Sequence, residues 1–132
     1  MKNEILKITK TESSTLKQEL QKQEGVWIGE IDGENIKTLE DYLDKVNQLC
    51  GFPIPAKGLD GYLDWIRDLS WLRKDGYAII IYDANKFLSE DSRIKNIVIK
   101  SFEDIVLPWW ESDVERYVVE GKAKPFNVYL VD

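Results

Sequence analysis

The chain has 132 residues, 43% of them hydrophobic and 11% aromatic, which suits one domain with its own core and excludes an intrinsically disordered protein. A formal net charge of −6 and a pI near 4.8 argue against binding nucleic acid or anionic membranes and suit a basic partner. Cys50 is the only cysteine and histidine is absent, so there is no intrachain disulfide, no cysteine metal cluster and no histidine-activated nucleophile.

Residues 1–24 are rich in Lys, Glu and Gln, with Leu16 and Leu20 suggesting a short amphipathic helix capped by Ser13 or Ser14. They read as an appendage. Their start lacks the apolar stretch of a signal peptide, and no apolar run approaches a membrane span, so the expected location is cytoplasmic. Val26–Ile31 has strand composition and is closed by the turn signal Asp32-Gly33. Thr38, with Asp41 three residues on, marks a helix N-terminus; Leu39, Tyr42, Leu43, Val46, Leu49 and Cys50 keep a helical period up to the stop at Gly51. Two close prolines make 52–58 a loop.

A second helix follows, carrying Asp60, Asp64 and Asp68 at every fourth position. At about 100° per residue the three carboxylates fall within about 80° of one another. Leu59, Tyr62, Leu63, Ile66 and Leu69 take the other side. Such a ridge opposes helix stability, because Asp is a poor helix former and like charges four apart repel. The dipole accommodates Asp60 in the first turn but not Asp68 near the end. A ridge that costs stability and adds no packing is either a solvated face or a surface for something cationic. Gly61, beside it, either lets a partner approach closely or serves helix packing. Trp71 either stands exposed beside the aspartates, as a hot spot would, or packs inward once the chain has turned.

Arg73–Gly76 reads as a turn and Tyr77–Tyr82 as a strand covered on both faces. Asp83–Ser92 is a connection, and Arg93–Leu107 a helix that Pro108 should kink or end. Trp109-Trp110 reads as a core cap or a second binding patch. Ser112-Asp-Val-Glu115 is a capping-box signature for a further helix ending at Gly121, before a last strand, Phe126–Val131. Glu103, Asp104, Glu111, Asp113 and Glu115 are read as solvated helix faces in preference to a metal or glycosidase site. Strands separated by helices imply parallel pairing through right-handed crossovers, hence a small α/β domain.

In this order Ile31–Ile36, the helix from Thr38, the proline loop, Leu59–Asp64, the strand Tyr77–Tyr82 and the ending Pro125–Leu130 resemble the barstar family of intracellular ribonuclease inhibitors. The resemblance implies a three-stranded parallel sheet flanked by helices over residues 26–132, with residues 1–25 as an N-terminal extension. It implies an inhibitor, not an enzyme, without cofactor or metal and monomeric when free. Its second helix and preceding loop would plug the active site of a basic nuclease toxin. The family's two helix aspartates carry over onto Asp60 and Asp64, and its acidic contact from the last helix falls nearest Glu120. Asp68 would extend the acidic face, and Lys57 and Gly58 would shape the loop that meets the partner. Where the family commonly has aromatic residues, a glycine and an asparagine before the first aspartate, this chain has Ile54, Pro55, Ala56, Lys57 and Gly58. The helix tryptophan just before the second aspartate is Leu63, and the alanine after the first is Gly61. The alternative implied by these departures is a general interaction module that kept the fold and lost nuclease binding.

Overall fold

The apolar run Gly76–Tyr82 (β3) forms the middle of the sheet, with Tyr77, Ile79 and Ile81 on one face and Ala78 and Ile80 on the other. In the computed structural model, which describes residues 1–132, Val26–Asp32 (β2) and Phe126–Val131 (β4) flank it, both parallel to it. The three expected strands therefore form one parallel sheet. A fourth strand was not expected: Ile5–Ile8 (β1) pairs in parallel with β4, giving the order β1-β4-β3-β2. Four residues between lysines and glutamates carry too short a pattern to read as a strand.

Asn3 secures this edge. Its side-chain amide donates to Leu107 O and Lys124 O, its Oδ1 accepts from Phe126 N, and its own N–H donates to Glu111 Oε1 at 2.7 Å. Within residues 1–25, Ile5–Ile8 thus joins the sheet as an edge strand. Handedness then decides where the first helix goes. The β2-to-β3 and β3-to-β4 crossovers step across the sheet in one direction, whereas β1-to-β2 returns across all of it. Keeping each crossover right-handed requires the returning helix to lie on the opposite face. Lys10–Gln21 (α1) does so, packing Leu16 and Leu20 on Ala78, Ile80, Tyr129 and Val131. Its cap is Thr9, in a capping box with Glu12, and not Ser13 or Ser14.

On the main face lie Leu39–Cys50 (α2), Leu59–Ile66 (α3) and Ser92–Ser101 (α4). The cap of α2 is as expected: Thr38 and Asp41 form a capping box, and Gly51 ends the helix at φ 61°, a conformation that favours glycine. Asp91 caps α4 by accepting from Ile94 N. Beyond Ser101 the chain stays helical through two wider π turns, Phe102–Val106 and Trp109–Asp113, into Val114–Tyr117 (α5). Pro108 therefore does not end the helix at 107. It lacks an N–H and its ring crowds the preceding turn, and the extra residue per turn on either side accommodates both. The Ser112–Glu115 signature consequently lies inside a continuing helix, which ends at Tyr117 and not at Gly121.

Leu43, Val46, Ile66, Leu69, Ile79, Ile81 and Val128 are buried, and Leu39, Leu59, Leu63 and Leu130 pack half-buried against them. Between α2 and α3 the hydroxyls of Tyr42 and Tyr62 meet at 2.6 Å in the core. Burial pushes the Cys50 thiol up to about 12, which leaves it a small apolar side chain at neutral pH.

Candidate protein-binding site

The helix α3 starts without a side-chain cap, because Gly58 stands at the N-cap. Asp60 in the first turn supplies the favourable negative charge there. Tyr62 and Ile66 are wholly buried, so the opposite side of the helix faces solvent with Asp60 and Asp64 one turn apart. The helix stops at Ile66; Arg67 is its C-cap, and Leu69 adopts a left-handed φ of 53°. Asp68 is therefore not on the helix, contrary to the three-residue ridge expected from spacing. Its Oδ1 accepts from Ser70 N at 3.2 Å and so supports the following turn, Ser70–Leu72.

The last carbonyls of α3 are capped from another element. Trp110 Nε1 donates to Ile66 O at 3.0 Å and Trp109 Nε1 to Arg67 O at 2.8 Å. Groups that helix geometry leaves unpaired are satisfied by the two indoles, which fix the axis of α3. Trp109-Trp110 is thus a cap on this helix. Arg67 is held equally firmly: its Nε donates to Leu63 O and its guanidinium lies 5.5 Å from the Trp109 ring centroid. From there it reaches Asp64 at 3.3 Å. The Asp64 side chain remains 77% exposed, so this ion pair is a solvated one of small energetic weight.

The loop before α3 is pinned at two points. Asn47 of α2 donates to Ala56 O and accepts from Ala56 N, replacing a backbone partner for the loop. At its base Phe52 packs against Trp65 and Trp71, whose rings meet edge-on at 5.4 Å. Trp71 Nε1 donates to Cys50 O at 2.7 Å. Trp71 is therefore half-buried and directed inward, the second of its two sequence readings. Between the pins Ile54 is 67% exposed at the tip with Pro53 and Pro55 exposed beside it, and Lys57 is exposed just past the second pin. Gly61 faces the loop: a Cβ there would sit 3.8 Å from that of Ala56, an ordinary contact. At Gly58 neither the extended backbone nor the surrounding open space demands glycine.

Glu120 is exposed in the turn after α5, at φ 62°, and not on a helix. Three of the five other carboxylates weighed from the sequence have partners within the protein. Glu103 pairs with Lys100, Glu111 accepts from Asn3 N, and Glu115 accepts from Ala123 N. Sequence reasoning passed over Asn47, Arg67 and the exposed Ile54. A polar residue within an amphipathic helix and a lone arginine carry no sequence signal for such roles; Ile54 could have been found as the one large aliphatic residue between two prolines.

The chain is thus a small parallel α/β protein, helices on both sheet faces, with an acidic helix and a pinned loop open to solvent. It belongs to the barstar family: the model for barstar, the barnase inhibitor, matches residues 28–130. That family consists of inhibitors that act on a nuclease by binding it as a protein, rather than of enzymes. No curated protein and no solved structure matches the chain. No helix is long and apolar enough to cross a membrane.

Proposed function

We propose that this protein inhibits a cognate ribonuclease toxin by seating α3 and the loop 52–58 in its active site. The observation that carries the reading is the pair Asp60 and Asp64, exposed one turn apart on a helix whose far end is clamped by two indoles. A ribonuclease site is a cationic cleft shaped for phosphates. Carboxylates about 5–6 Å apart at their Cβ atoms can accept charge-assisted hydrogen bonds from its Arg and Lys side chains. Clamping α3 and pinning the loop lowers the ordering cost of binding. Asp68 and Glu120 add charge at the margins, while Ile54, Lys57, Gly58 and Gly61 form the contact surface beside the aspartates. Trp71 supports that surface from beneath.

The N-terminal segment packs on the opposite face of the sheet and leaves α3 uncovered, which favours this reading over a module that has lost nuclease binding. The protein acts as a cytoplasmic antitoxin, guarding either against the cell's own secreted enzyme or against a rival's.

The test is an RNA-cleavage assay with a panel of barnase-type ribonucleases, titrated with the wild-type protein and with Asp64→Ala. One-to-one inhibition by the wild type is expected. The variant should lose about 2–5 kcal/mol of binding, the range for one partner of a desolvated charge pair, for which barnase–barstar is itself the reference system. Its melting temperature should stay close to wild type, because the Arg67 pair is solvated. A large fall in melting temperature with unchanged inhibition would make Asp64 a structural residue.

A further inference from the structure

Three consecutive apolar side chains, Tyr117, Val118 and Val119, stand on the surface where α5 ends, Tyr117 69% and Val119 93% exposed. They are not a loose end. Val118 N donates to Val114 O, Gly121 N to Val118 O and Ala123 N to Glu115 Oε2, which closes the turn around them. At Gly121 a Cβ would lie 2.4 Å from Val114 O, so glycine is required for the chain to turn this tightly. Tyr117 is also tied to the acidic helix by an unbroken run of contacts. Its ring stacks on Trp109 at 6.3 Å with planes 6° apart, Trp109 lies under Arg67, and Arg67 reaches Asp64.

From this continuity, and resting on the function proposed above, we infer that Tyr117, Val118 and Val119 are a second, apolar part of the ribonuclease-binding surface. The partner it fits has a basic cleft with an apolar shoulder beside it. A surface of carboxylates alone would attract many basic proteins, and an apolar contact adjacent to it selects among them through shape and lifetime. Val119, 93% exposed in the free protein, would withdraw apolar area from water on being buried in a complex.

Val119→Asp separates apolar contact from charge, because the two predict opposite signs. It adds a negative charge next to Glu120 on a chain of net charge −6, so a surface working by charge alone should associate faster and hold at least as tightly. An apolar contact should instead dissociate faster, by about tenfold, with association unchanged or quicker. Val119→Ile, which keeps the apolar character, should retain wild-type dissociation. The measurement is association and dissociation of each variant with the ribonuclease that the wild type inhibits, alongside Asp60→Ala/Asp64→Ala and thermal melts of all. Faster dissociation of Val119→Asp at unchanged melting temperature upholds the inference. Wild-type or slower dissociation overturns it, even where the aspartate variant fails to bind. If the wild type inhibits no ribonuclease of the panel, the proposed function falls and this inference with it.

Discussion

Arg67 illustrates how one residue changes the meaning of a sequence pattern. The aspartates read from spacing as a bare anionic ridge, yet Arg67 is fixed over Trp109 and partly offsets Asp64, and Asp68 has left the helix to support a turn. Asp60 and Asp64 were legible because helical periodicity alone places them outward. Arg67 was not, because its position depends on a tryptophan 42 residues away in the chain. Asp41 was legible in full, since capping is local, and it carries a pH dependence. Hydrogen bonds from the backbone N–H groups of Lys37 and Thr38 hold its carboxyl below the ordinary 3.8. A group whose folded value is depressed stabilises the fold while ionised, and that contribution disappears as pH falls through the folded value. Melting temperature should therefore decline below about pH 4, with a shallower decline in Asp41→Asn. Equal acid sensitivity of the two proteins in circular-dichroism melts would remove Asp41 from the account.

Among the elements, those with a full hydrophobic period were readable and those defined by a distant partner were not. The helix α2 announced both ends through Thr38 and Gly51, and the β3 run declared a strand covered on both faces. The four-residue β1 exists because β4 offers it an edge and Asn3 anchors it, neither of which is written in residues 5–8. Pro108 misled for a related reason. A proline kinks or ends a regular α-helix, but π turns on both sides, packed in the core by Phe102 and Trp110, let this one continue past residue 107. This continuation brings Trp109 and Trp110 to the end of α3. Trp110→Phe would leave the Ile66 carbonyl buried without its donor, at a cost of about 1–3 kcal/mol. Urea unfolding should show that loss, and ribonuclease binding should weaken as α3 loosens. Stability indistinguishable from wild type would mean that the indole N–H does not hold this helix end.

Across the whole molecule, both sheet faces are covered, and α1 lies on the side away from α3. On the proposed function, the overall charge of −6 would draw a basic partner from a distance, and the clamped acidic helix would determine where it lands. The central claim is that this face, and no other, meets the ribonuclease. Hydrogen–deuterium exchange of the protein, free and bound to a ribonuclease it inhibits, tests that claim most directly. Slowed exchange in residues 52–66 and around 117–121, with α1 unchanged, is the predicted result. Protection confined to α1 and β2, with 52–66 exchanging as in the free protein, would contradict it.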